Sequence, residues 1–96
     1  MVTKDILHHF RGKTVLITGH TGFKGSWMTY LLSSNDVNVI GYSLPPNSTP
    51  NLYNELDLNS HCESNIADIN DLSQITEVII KSQPDFIYPI NFITLI

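Results

Sequence analysis

Between Gly19 and Trp27 the chain reads GHTGFKGSW, three glycines with a histidine, a lysine and a tryptophan, directly after the apolar run KTVLIT. Gly19, Gly22 and Gly25 form G-x-x-G-x-x-G. Glycines so placed allow a tight turn out of a strand, a close approach of a pyrophosphate to the backbone, and close contact between helix and sheet. The first turn of a helix adds unpaired N–H groups and partial positive charge, which favour an anion. In a strand-loop-helix context the expected ligand is a dinucleotide; the alternative is a purely structural glycine-rich turn. A triphosphate P-loop needs Gly-Lys-Ser/Thr, and Lys24-Gly25-Ser26 has the reverse order, which removes that reading. Lys24 either lies near phosphates or substrate or is solvated, and His20 either lines the crevice or is structural. His8, His9 and His61 lack a second ligand at convincing spacing, so no metal site is expected.

Such a loop needs a buried strand before it and a helix after it. Lys13 to Thr18 is rich in β-branched residues without polar alternation, as in a strand buried on both faces of a parallel sheet. Phe23, Trp27 and Leu31 recur at i, i+4 and i+8, with Met28 and Leu32 beside them, predicting a helix from about Gly22 to Ser34. Trp27 is expected to pack against the sheet, with ligand stacking as the alternative. Asn35-Asp36 supplies a turn, and Val37 to Tyr42 reads as a second strand.

The stretch SLPPNSTPNLYNELDLNSH reads as loop with a helical turn around Leu52 to Leu58; a functional loop and a tolerated surface excursion both fit. Glu63 to Ala67 is a short third strand. Asp71-Leu-Ser-Gln74 resembles a capping box opening a helix with a Leu72, Ile75, Ile79 stripe, and Pro84 follows its end. Asp85 to Tyr88 is the fourth strand. The fold class is therefore α/β, a partial Rossmann-like doubly wound parallel sheet (β-α-β-loop-β-α-β) of order 3-2-1-4. Ligands in such sheets bind where strand order reverses, here between the first and fourth strands.

The 96 residues suit a single domain, with 42% hydrophobic residues and a formal charge of −4. Lys4, Arg11, Lys13, Lys24 and Lys81 form no cluster, which argues against a nucleic-acid partner. The single cysteine, Cys62, excludes an internal disulfide and is read as a small packed residue rather than a reactive thiol. No signal peptide or membrane span is read from the sequence, so a cytoplasmic location is expected.

The surroundings of the glycines are more specific than their spacing. TGHTGFKGSW followed by VIGYSL closely resembles the amino-terminal segment of the CDP-glucose 4,6-dehydratases, in the extended short-chain dehydrogenase/reductase superfamily, over approximately Gly12 to Tyr88. The resemblance implies a bound NAD. It implies oxidation of a nucleotide-linked glucose at C4, loss of water across C5 and C6, and hydride return to C6, for surface-polysaccharide synthesis. It places Gly19, Thr21, Gly22, Phe23, Lys24 and Gly25 at the cofactor phosphates, and Asp68 and Ile69 at adenine. Where NAD-selective folds often carry an acid after the second strand, this chain has Tyr42-Ser43-Leu44, so a ribose contact would use Ser43 or backbone.

The departures lie towards the end. Relatives continue with a His-containing, Ala-rich segment and later a Ser/Thr and Tyr-x-x-x-Lys set, in which the lysine lowers the tyrosine pKa for proton removal. Here the residues four beyond Tyr30, Tyr42, Tyr53 and Tyr88 are Ser34, Pro46, Asp57 and Phe92, and no Asp-Glu or Glu-Asp pair occurs. The expectation is one NAD-binding segment over residues 1–96, truncated after the fourth strand and inactive alone, with a frameshift near Tyr88 as one origin of the abrupt change of register and a natural short protein with its own terminus as the alternative. A nucleotide-sugar substrate belongs to a full-length form. The alternatives are a stand-alone nucleotide-binding module and an interaction fragment that docks its fourth strand and apolar tail on a partner; oligomeric state stays open.

Overall fold

The computed structural model describes residues 9–46 and 50–89. The sequence readings of the amino terminus through His8, of positions 47–49 and of the tail from Ile90 lie outside the described residues. Four parallel strands, β1 (Thr14–Thr18), β2 (Asn38–Ser43), β3 (Glu63–Ile66) and β4 (Phe86–Pro89), form one sheet in the order β3-β2-β1-β4. This is the expected partial Rossmann-like order, and each boundary falls within a residue or two of the sequence reading. Helix α1 (Phe23–Ser33) connects β1 to β2, and α3 (Leu72–Ser82) connects β3 to β4. The loop between β2 and β3 carries a single turn, α2 (Leu52–Glu55), and a 3-10 turn at Leu58–Ser60.

Alternate residues of the central strands feed two cores. Val15, Ile17, Val37 and Val39 pack with Leu32 of α1 on one face, joined by Phe10, Met28 and Cys62. Leu16, Ile40 and Tyr42 pack on the other face with Ala67, Ile69 and the α3 residues Ile75, Val78 and Ile79. Burial on both faces explains why β1 reads as unbroken apolar sequence. Parallel pairing sets Thr18 beside Tyr42 and Pro89, so the ends of β1, β2 and β4 lie level along one rim.

Local signals account for the helix ends. Asp71 Oδ1 accepts from the Gln74 amide at 3.2 Å and opens α3. Gln83 closes it in the left-handed region, φ 45°, before Pro84 breaks the chain direction. Asp36, φ 62°, makes the left-handed turn into β2.

Two packing expectations are overturned. The Phe23, Trp27, Leu31 stripe does not face the sheet: Phe23 is 70% exposed and Trp27 48%. The inward face is Gly25, Ser26, Thr29 and Leu32. A Cβ on Gly25 would lie 2.0 Å from the Gly19 carbonyl oxygen, so that glycine must face the loop, and its contact sets the rotation of α1. At 100° per residue Phe23, Trp27 and Tyr30 then fall on the opposite side. Leu72 likewise leaves its expected stripe and is 74% exposed, its place taken by Val78.

Candidate functional site

The loop leaves β1 at Gly19, whose φ of 82° is open to glycine and strained for other residues. Its amide donates to the Tyr42 carbonyl at 2.9 Å, and its carbonyl accepts from the Gly22 amide at 3.2 Å. Gly25 packs on that same carbonyl, so two of the three glycines are required by the turn itself.

Gly22 is different. It is exposed, adopts an ordinary φ of −76°, and an added Cβ would meet only the Gly19 oxygen, at 3.6 Å. Internal packing gives no reason for glycine here. Gly22 is also the N-cap of α1, no side chain caps the helix, and the first turn holds no acid. The bare loop and uncapped amides suit an anion brought close to the backbone.

Thr21 ties this loop to the end of β2. Its hydroxyl lies 3.0 Å from Ser43 Oγ and donates to the Leu44 carbonyl at 2.8 Å. Both hydroxyls are buried, so Ser43 engages Thr21 rather than presenting itself at the surface. The strand ends are tied onward by the Ala67 amide, which donates to the Ser43 carbonyl at 2.8 Å, and by the Tyr42 hydroxyl, which donates to the Asp68 carbonyl at 2.8 Å. Burial, with Asp71 and Asp68 nearby, holds the Tyr42 phenol above its ordinary value. Asp68 is exposed and its carboxylate accepts from the Asn70 amide at 2.9 Å, while Ile69 packs into the α3-side core. Gly19, Thr21, Gly22, Gly25, Ser43, Asp68 and Ile69 are thus gathered along one rim. Phe23 and Lys24 instead turn into an outer groove beside Trp27.

His20 does not line the crevice. It is fully buried beneath the loop, with Nε2 2.7 Å from Ser64 Oγ, and Tyr53 meets its ring edge-on at 5.4 Å. The Tyr53 hydroxyl in turn lies 2.9 Å from Ser64 Oγ and 3.1 Å from Asn59 Oδ1. Nδ1 has no hydrogen-bond partner, and burial lowers the His20 pKa from 6.5 to about 4, so the imidazole is neutral near pH 7. Gly41 makes room for it, since a Cβ there would come 2.3 Å from the ring. The sequence reading did not find this network, although a glycine inside a strand signals a close neighbour. Cys62 is half-buried, and burial raises its thiol pKa, which fits the packed reading.

The sequence model of the family described as GDP-mannose 4,6 dehydratase matches residues 16–92. The chain belongs to this family. Over 79 residues it is 38% identical to the CDP-glucose 4,6-dehydratase of Salmonella typhimurium LT2, covering 82% of this chain and 22% of that protein. The chain therefore spans about a fifth of the length of that curated relative, and the matched part is amino-terminal. An epimerase from the methanogen Methanothermobacter thermautotrophicus superposes with a TM-score of 0.71 at 24% identity, over 94% of this chain and 26% of its own. A chain from Burkholderia cenocepacia J2315 gives 0.63 at 20% identity, over 84% and 25%. These two likenesses carry the fold alone. Among the described residues no helix is long and apolar enough to cross a membrane.

Proposed function

We propose that this chain is the NAD-binding amino-terminal part of a CDP-glucose 4,6-dehydratase-like protein and that it does not turn over substrate by itself. The observation that carries this reading is Gly22, which has no packing role yet stands at an uncapped helix N-terminus. In that reading the amides of Phe23 and Lys24 hold the pyrophosphate. The Thr21–Ser43 pair keeps the loop against β2, and Asp68 and Ile69 border the adenine. Bound NAD supplies a hydride acceptor and donor. The chain's own part is to bind and orient, because it holds no Tyr-x-x-x-Lys to move the substrate proton. CDP-glucose and the remaining catalytic groups belong to a longer form, in a cytoplasmic setting.

The test is calorimetric titration of NAD into the wild type and Gly22→Ala, with a thermal melt of each. The alanine is expected to weaken NAD binding by roughly tenfold while the melting temperature holds. Equal affinity in the two proteins would remove the phosphate role of this loop.

A further inference from the structure

His20 belongs to the glycine loop, between Gly19 and Thr21, yet it is fully buried. Four elements hold it. Its carbonyl accepts from Ser26 Oγ of α1 at 3.1 Å, its ring fills the space left by Gly41 of β2, and its Nε2 lies 2.7 Å from Ser64 Oγ of β3. Tyr53 of α2 meets the ring edge-on. The excursion between β2 and β3 is therefore packed beneath the loop, with Tyr53 and Leu58 buried.

The protons of this network have one consistent order. The Tyr53 hydroxyl has a single proton, and Asn59 Oδ1, at 3.1 Å, can only accept it. Ser64 Oγ, 2.9 Å from the same hydroxyl, then donates to Tyr53 and accepts from His20 Nε2–H. The Cys62 thiol also bonds Tyr53 and, kept protonated by burial, donates there without changing this order. Nδ1 keeps a bare lone pair. It has no partner among the described residues, and a proton there would be a buried donor without an acceptor.

We propose that His20 is a positioning residue, the neutral Nε2–H tautomer through which Tyr53, Asn59 and Ser64 hold the loop from Gly19 to Gly22 in its anion-binding shape. This rests on the nucleotide reading of that loop. Buried itself, His20 acts through its chain neighbours, Gly19 in the left-handed region and Thr21 on Ser43. Burial holds its pKa at about 4, so the hold is uncharged near pH 7. The coupling is reciprocal: a ligand that favours this loop shape also favours the packed excursion.

Imidazole nitrogen resonances of the full chain read the tautomer. The wild type is expected to show Nε2–H alone, and Nδ1–H in the wild type overturns the proposal whatever a variant does. Tyr53→Phe keeps the ring contact and frees Ser64 to donate to Nε2, so both tautomers are expected in it. Calorimetry should show its NAD binding weakened roughly fivefold, and the Gly19 amide, bonded to the Tyr42 carbonyl, should exchange roughly fivefold faster. The Gly12 amide, bonded to the Asp36 carbonyl before β1, is the control and should not change. His20→Gln keeps a donor for Ser64 and should bind NAD within about twofold of wild type. Equal NAD affinity in the wild type and folded Tyr53→Phe overturns the positioning role and leaves the nucleotide reading standing. Absence of NAD binding by the wild type overturns the nucleotide reading instead. Gly19 exchange then decides the hold on the loop: faster in Tyr53→Phe supports it, and unchanged overturns it.

Discussion

Gly22 and Gly25 look equivalent in the sequence and are not equivalent in the fold. Gly25→Ala forces a Cβ to within 2.0 Å of backbone and is expected to cost about 3 kcal/mol, read as a lower urea midpoint. Gly22→Ala keeps an ordinary contact and should leave that midpoint within about 0.5 kcal/mol of wild type. His20 gives a pH-dependent prediction. Its folded pKa of about 4 lies below the unfolded 6.5, so between those values the unfolded chain binds more protons and stability falls as pH falls. The contribution is full above pH 6.5 and gone below about 4, on the order of 3 kcal/mol in all. Urea unfolding from pH 7.5 to 4 checks it, and His20→Gln should flatten that slope within the window.

At the scale of elements, the helices differ in what holds them. α3 has a capped start and presents Ile75, Val78 and Ile79 to the sheet, so its periodicity in sequence is nearly its packing in space. It ends on Gln83 in the left-handed region, and Gln83→Gly should stabilise by roughly 0.5–1 kcal/mol, seen as a raised thermal midpoint. α1 is held by small residues on one side and bears its aromatics on the other. Its apolar spacing announced a helix correctly and its orientation wrongly, because spacing counts apolar side chains whereas Gly25 docks by having none.

Over the whole molecule, β1 and β2 are buried on both faces, while β4 is an edge among the described residues, with Ile87 half exposed. Edge strands with apolar faces pair with other chains. Ile87→Lys is therefore expected to reduce concentration-dependent association, measured by light scattering, with little change in the circular dichroism spectrum. The order of elements, the parallel sheet and the location of the phosphate-type loop were all determined by the sequence itself. Unbroken β-branched runs, glycine spacing and turn residues are local signals, and right-handed crossovers leave few ways to connect them. The rotation of α1, the burial of neutral His20 against Gly41, the locking of Ser43 by Thr21 and the outer groove were decided only by tertiary structure. Each depends on a contact between residues distant in the chain, where the presence or absence of one Cβ sets which face turns inward, and no local pattern carries that information.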